Sequence, residues 1–300
     1  MLISIIIIDR MKLLPHYQPY SFVFHQIVVD AKKKTTGCYK TAIRTMNLVK
    51  ERFDEYNDRF NHNALGSLKS VRFHKTDAGH RQIADHLKAL YSFGSSPFSK
   101  LYQILTTTPN GEEITSCPLC ELDLIGSLDH IVPRAAMPEF STHPLNLIPS
   151  CTKCNAKKNA NWRVGKQYKY INPYIDDFFD KEFLRIIVEW NNNKPFITYE
   201  IFQGNNVSDN EFKKISFHFH DMELCKRYAS RTYNELASIA NSIRSRMGKN
   251  NELEIRASLR REGKTLLANN GKSYWLGLLK LECASNSRLF SYILNYPLTP

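Results

Sequence analysis

Two stretches of sequence decide how the middle of the chain folds: SCPLCELDLIGSLDHIVPRA at 116–135 and HPLNLIPSCTKCNAKKN at 143–159. Each stretch contains one Cys-x-x-Cys pair, and the four cysteines are Cys117, Cys120, Cys151 and Cys154. Four thiolates complete the tetrahedral coordination of Zn²⁺ and leave no position for water, so the spacing predicts a structural zinc site. A thioredoxin-like redox site, the alternative, has a single pair at the start of a helix, so two pairs around a polar segment favour zinc.

The segment enclosed by the cysteines carries side chains suited to phosphodiester hydrolysis. That reaction needs a base for the attacking water and a hard cation at the phosphate. His130 can accept a proton at cellular pH, while Asp129 and Asn155 offer the oxygen ligands that Mg²⁺ or Mn²⁺ prefers. Because neighbouring residues of a regular strand point to opposite faces, we expect Asp129 and His130 at a strand end, bulge or turn.

These residues together resemble the HNH, or ββα-metal, nuclease motif in its zinc-stapled form. The resemblance rests on CPLC at 117–120, LDHIVP at 128–133, NLIP at 146–149 and CTKCN at 151–155, with Lys158 one turn later. It implies an α+β fold with a zinc-stapled ββα-metal core, His130 as the base, and Asp129 and Asn155 as ligands of a catalytic Mg²⁺ or Mn²⁺. It also implies that Asn146 positions the loop and the base. His143 does not fit a ligand role and is predicted to be a loop residue.

The order and spacing of the motif also match RNA-guided and anti-phage nucleases. INPYIDDF at 171–178 resembles a His-Pro-Tyr motif that follows the core in bacterial members, although Asn172 stands in place of the histidine. YWLGLLKLECASN at 274–286 resembles the end of those proteins. Several of them belong to Septu-type and retron-linked systems, so the resemblance implies a defence role beside an ATPase partner.

The charge of the chain favours a polyanionic partner. The formal net charge is +12 and the pI is about 9.3, a balance typical of proteins that bind nucleic acid. Six basic residues and no acidic residue lie within 151–172. The candidate nucleic-acid contacts among them are Lys157, Lys158 and Arg163. The interleaved aromatic residues can either stack on bases or belong to the core, and they are Trp162, Tyr168 and Tyr170.

The remaining pattern divides the chain into three regions. We expect a mixed α/β region at 1–110, the nuclease core at 111–180, and strands followed by basic helices at 181–300. Residues 20–29 are rich in β-branched and aromatic side chains and predict a strand, whereas helices are expected at 40–60, 79–93 and 99–107. Residues 185–202 predict two strands around an Asn-rich turn, and 213–222 predict a third strand that places His218 and His220 on one face.

The N-terminal sequence MLISIIIIDR is too short to span a bilayer and lacks the basic start of a signal peptide. It predicts either a buried strand or an extension before a natural start at Met11. No other segment predicts a membrane span. Seven cysteines, four of them in two Cys-x-x-Cys pairs, fit metal binding in a reducing compartment better than a disulfide framework, so we expect a cytoplasmic protein. The sequence therefore predicts a metal-dependent endonuclease that cuts DNA, with RNA left open. The alternative is a non-catalytic zinc module that binds nucleic acid or a protein partner.

Overall fold

A computed structural model describes residues 14–71, 78–158, 161–247 and 251–295. The hydrophobic stretch 1–10 and the alternative start at Met11 lie outside these residues. The chain forms two compact units, one within Leu13–Asp176 and one that begins at Asp177. In the part that the structure describes, no helix is both long and apolar enough to cross a bilayer.

Among the described residues, the N-terminal unit begins with four α-helices that precede Cys117. They are α1 (Ser21–Asp30), α2 (Gly37–Asn61), α3 (Ala78–Lys88) and α4 (Ser96–Leu105). The strand predicted at 20–29 is wrong, because this segment is α1. Its buried residues include Ser21, His25 and Val28, which recur at the three- and four-residue spacing of a helix face. Packing of that face outweighs the β propensity of its aromatic and β-branched residues.

The predicted ββα core is present after these helices. Strand β1 (Ser127–His130) pairs antiparallel with β2 (Leu147–Ser150), and α5 (Thr152–Lys158) follows. A small hairpin of β3 (Arg163–Val164) and β4 (Gln167–Tyr168) comes next. The structure is thus a mixed α and β fold with a four-cysteine cluster, as the sequence predicts.

The long loop between β1 and β2 packs on α2 through an aromatic cluster. The His143 ring lies 4.1 Å from that of Tyr56 and 4.4 Å from that of Phe53, centroid to centroid, and Phe140 also contacts Tyr56. His143 is fully buried between two short 3-10 turns of this loop. Aromatic burial of this kind fixes the loop against the helix, which in turn fixes the ends of both strands.

In the C-terminal unit, the described residues form one hairpin and five helices. Strands β5 (Leu184–Asn191) and β6 (Lys194–Ile201) meet at Asn192 and Asn193, whose φ values of 45° and 63° suit the tight turn of a hairpin. This confirms the two strands predicted there. The helices are α6 (Asp209–Asp221), α7 (Leu224–Met247), α8 (Glu252–Asn270), α9 (Trp275–Ser285) and α10 (Ser287–Leu294).

The third strand predicted at 213–222 is wrong, because these residues belong to α6. Ser208 and Glu211 form a capping box at its start, a helix signal that outweighs the apolar alternation downstream. His218 is consequently buried while the His220 side chain is 88% exposed, so the two rings do not share a face.

Candidate active site

The four cysteines meet in one buried cluster. Their Sγ atoms all lie within 4.8 Å of one another, and no disulfide joins them. The Sγ atoms of Cys120 and Cys151 are 3.9 Å apart, close to the roughly 3.8 Å that tetrahedral Zn–S bonds of about 2.3 Å require. The donor set and its spacing fit zinc. A bound ion would join the loop before β1 to the start of α5.

Asp129 and His130 are the last two residues of β1, at a strand end as expected. Both are only 7% exposed, and both line one cleft of about 640 Å³ together with Asn155. His130 Nε2 lies 3.0 Å from the carbonyl oxygen of Ser141. A carbonyl only accepts hydrogen bonds, so Nε2 carries the proton and Nδ1 keeps a lone pair. Burial lowers the pKa of His130 to about 3, which keeps the imidazole neutral.

Asn146 is fully buried and binds the loop that leaves His130. Its Oδ1 accepts from the amide of Val132 at 2.7 Å and from the Tyr56 hydroxyl at 3.1 Å. Its Nδ2 donates to the carbonyls of Val132 and Phe140 at 3.1 and 3.0 Å. These contacts place Asn146 within the loop between β1 and β2, and it is not among the residues that line the cleft.

Asn155 and Lys158 both lie on the side of α5 that faces β1. The Asn155 Nδ2 donates to Ser127 Oγ at 3.2 Å, which leaves its Oδ1 as a ligand atom beside Asp129 in the cleft. The Lys158 Nζ lies 2.7 Å from Asp129 Oδ2 and also contacts the His130 carbonyl. Burial raises the pKa of Asp129 and lowers that of Lys158, and in each case their mutual attraction opposes the shift.

Two of the three predicted nucleic-acid contacts, Lys158 and Arg163, make bonds within the protein instead of forming part of an exposed surface. The Lys158 side chain is 2% exposed, so its ammonium serves Asp129 instead of an external phosphate. Arg163 donates to the carbonyls of Gly66 and Leu68 at 3.1 and 2.7 Å and thus joins the β3–β4 hairpin to the turn after α2. Lys157 is half-buried on α5. The aromatic residues of this segment are all buried, which favours their core interpretation: Trp162, Tyr168 and Tyr170.

Asn172, which replaces the histidine of the bacterial motif, is fully buried outside the cleft. Its backbone amide donates to Asp176 and its Oδ1 accepts from the Tyr174 amide at 3.1 Å. These bonds shape a turn, as asparagine side chains commonly do.

Sequence reasoning missed the other wall of the cleft. This wall comes from the end of α3 and the loop after β1, through Asp85, Lys88, Tyr91 and Arg134. Arg134 follows the Asp-His pair in the motif, so the motif itself could have indicated it. The α3 residues lie far upstream on an ordinary amphipathic pattern, and no spacing signal connects them to His130.

Comparison with known proteins finds a family match in the region of this cleft. A family model described as HNH endonuclease matches residues 117–161, which contain both cysteine pairs and the cleft residues of β1 and α5. Protein ea31 of Escherichia phage lambda is 42% identical over 69 residues, which cover 22% of this chain and 23% of that protein. The chain therefore spans less than a quarter of that relative's length. No solved structure matches the chain. The family match covers the region around the cleft and not the helices before it or the C-terminal unit.

Proposed function

We propose that the protein is a metal-dependent endonuclease that hydrolyses phosphodiester bonds in DNA. The observation that carries the proposal is the meeting of His130, Asp129 and Asn155 in one cleft beside a four-cysteine cluster. A base and two hard oxygen ligands in one concave site are what hydrolysis of a phosphodiester needs.

His130 would act as the general base. Its Nδ1 lone pair would take the proton of the attacking water, and the Nε2 hydrogen bond to Ser141 would orient the ring and stabilise the imidazolium that forms. Asn146 would support this orientation through the backbone of residues 131–132, because its own carbonyl also accepts from the Ile131 amide at 2.8 Å.

Asp129 and Asn155 would hold Mg²⁺ or Mn²⁺, since their side chains offer oxygen atoms in the same cleft. When bound, such a cation supplies stabilisation of the charge on the scissile phosphate and on the leaving 3′ oxygen. Lys158 would contribute by keeping the buried Asp129 carboxylate ionised, because an ammonium at 2.7 Å offsets part of the desolvation that raises its pKa.

The net charge of +12 supports a polyanionic substrate, and Lys157 is the proposed contact with its backbone. We propose DNA, with RNA as a separate arm of the test. The defence role and the ATPase partner implied by the sequence resemblance stay proposals as well. Protein ea31 comes from a bacteriophage, so its similarity by itself does not favour action against phages.

The test incubates the purified full chain with supercoiled, linear and single-stranded DNA and with RNA, in Mg²⁺, Mn²⁺ or a chelator. We expect metal-dependent cleavage of DNA, lowered at least about 100-fold by His130→Ala. Zinc content and melting temperature should match between wild type and variant. Full cleavage by His130→Ala contradicts the assignment. DNA binding that ignores Mg²⁺, without products, instead supports the non-catalytic zinc module.

A further inference from the structure

Tyr91 lies outside the region matched by the nuclease family, yet it contacts the proposed base directly. It follows α3, and its ring meets the His130 ring edge-on, with centroids 4.6 Å apart and an interplanar angle of 71°. Its hydroxyl donates to the Leu128 carbonyl at 2.9 Å. The Arg134 guanidinium lies over the same ring, 4.8 Å from its centroid. One side chain thus contacts the base, the strand that carries the base, and a cation of the cleft.

We propose that Tyr91 is a positioning residue that sets the His130 ring and holds Arg134 in the cleft, where Arg134 binds the anionic oxygens of a substrate phosphodiester. This inference rests on the proposed nuclease function and extends it to two residues that the motif does not assign.

The His130 ring needs a second restraint besides its hydrogen bond. The bond from Nε2 to Ser141 restrains one atom of the imidazole, and small rotations about the Cβ–Cγ bond can still tilt the ring without breaking it. The Tyr91 ring packs against the imidazole and removes this freedom. Tyr91 is itself fixed at two points, by the hydroxyl bond to Leu128 and by the Phe98 ring at 4.8 Å. The direction of the Nδ1 lone pair is therefore set from α3 and α4 as well as from the nuclease core.

Arg134 has the chemistry of a phosphate ligand. Its guanidinium is always charged, and its planar fork of donors matches two oxygens of a phosphodiester. Stacking on an aromatic ring restricts the guanidinium while its N–H edges stay available. Among the residues that the structure describes, Arg134 makes no ion pair, and the nearby Asp85 is paired with Lys88 at 2.7 Å. Arg134 and His130 line the same cleft, so a phosphate on Arg134 would lie next to the base.

The kinetic test compares Tyr91→Leu, Tyr91→Phe and Arg134→Gln in the full chain on one DNA substrate. Tyr91→Leu should lower kcat by about 10- to 100-fold, the loss expected when a catalytic group shifts by about an ångström. Tyr91→Phe keeps the ring and should lower kcat by no more than about fivefold, the effect of one neutral hydrogen bond. Arg134→Gln should raise KM by about tenfold through loss of one charge-assisted contact.

A double variant and a matched control separate positioning from general damage. If Tyr91 holds Arg134, then Arg134→Gln should raise KM less in the Tyr91→Leu background than alone, because the two effects are coupled. Tyr102→Leu is the control, since Tyr102 lies on the neighbouring α4 with its ring against Phe93 and outside the cleft. All variants are assayed well below their melting temperatures with zinc content measured.

A second readout does not depend on activity. In protein labelled with ¹³C and ¹⁵N histidine, the His130 ring signals, assigned through His130→Ala, should move in Tyr91→Leu and stay in Tyr91→Phe and Tyr102→Leu. Unmoved signals, or a kcat equal to that of Tyr102→Leu, overturn the positioning role. An unchanged KM in Arg134→Gln overturns the phosphate contact. If the wild type cuts no substrate, the proposed function fails, and with it the phosphate contact, whereas the ring signals still decide whether Tyr91 positions His130.

Discussion

Asn146 should contribute more to the free energy of unfolding than any other polar residue of the candidate site. Asn146→Ala removes both partners of the Val132 backbone, whose amide and carbonyl bond the Asn146 side chain at 2.7 and 3.1 Å. Among the described residues, neither Val132 group has another partner, whereas the Tyr56 hydroxyl retains the Leu145 carbonyl at 3.3 Å and the Phe140 carbonyl retains the His143 amide at 3.1 Å.

Two buried backbone groups are thus left unpaired. Each costs about 1–3 kcal/mol, so the free energy of unfolding should fall by about 4 kcal/mol. That is a large share of the roughly 5–15 kcal/mol that stabilises an ordinary domain. The loop that leads away from His130 loses these hydrogen bonds, so cleavage should also weaken in the fraction of molecules that stays folded.

Zinc release during denaturant titration, followed with a chromogenic chelator, reports on the N-terminal unit alone. This choice matters because the chain has two compact units and its overall unfolding need not be two-state. Asn155→Ala is the matched control. Asn155 is half-buried, and among the described residues its side chain makes one hydrogen bond, to Ser127 at 3.2 Å. This variant should therefore lose about 1 kcal/mol or less of unfolding free energy, while cleavage is abolished. A cost below about 1 kcal/mol for Asn146→Ala, or an equal cost for both variants, would refute the reasoning.

Three further predictions address the metal, the buried ion pair and acidity. Cys151→Ser should lose zinc and melt at a much lower temperature, because structural zinc contributes directly to folding; an unchanged melting curve with no zinc bound would contradict this. Lys158→Met leaves the Asp129 carboxylate buried without its partner, so unfolding should become easier by about 3 kcal/mol, measured again by zinc release, whereas no change would mean that the pair is not buried in solution. Burial lowers the pKa of His25 to about 4 and that of His143 to about 3, below the value near 6.5 of an unfolded chain. Above about pH 6.5 both histidines are neutral in the folded and in the unfolded chain, so they do not change the free energy of unfolding. As the pH drops from there towards 4, the unfolded chain binds protons that the folded protein does not, so stability should fall. His143→Leu should flatten this fall relative to wild type in melting curves, and parallel curves would exclude the histidine.

The sequence predicts the structure correctly where a residue pattern is compatible with only one kind of local structure. Two Cys-x-x-Cys pairs around an Asp-His pair specify a zinc-stapled hairpin, and the ββα core is found where they place it. The Asn-rich turn between β5 and β6 is equally specific, because left-handed φ values favour asparagine. By contrast, α1 and α6 are rich in residues that suit either strand or helix. Packing of one face favours the helix in α1, and the capping box at Ser208 and Glu211 favours it in α6.

The spacing of charged residues in the sequence does not specify how deeply their side chains are buried. The spacing of Lys158 from Asn155 gives a shared helix face, but that face turns inward, and the ammonium contacts Asp129. The Arg163 side chain has the chemistry of a phosphate ligand, yet its guanidinium donates hydrogen bonds to two backbone carbonyls. The same charged residue suits an exposed track or an interior bond, so its role follows from the neighbours that the fold brings to it.

The helices before residue 117 contribute side chains that contact the residues of the candidate site. Tyr56 of α2 bonds Asn146, and Tyr91 after α3 bonds the strand that carries His130. Both tyrosines lie upstream of residue 117, where the nuclease match begins. The helices and the ββα core also belong to one compact unit. Because contacts to His130 and to the loop that follows it cross from one part to the other, the arrangement of the cleft depends on both. A zinc ion on the four cysteines would join the loop before β1 to α5, whereas the contacts that orient the His130 ring come from Ser141 and Tyr91.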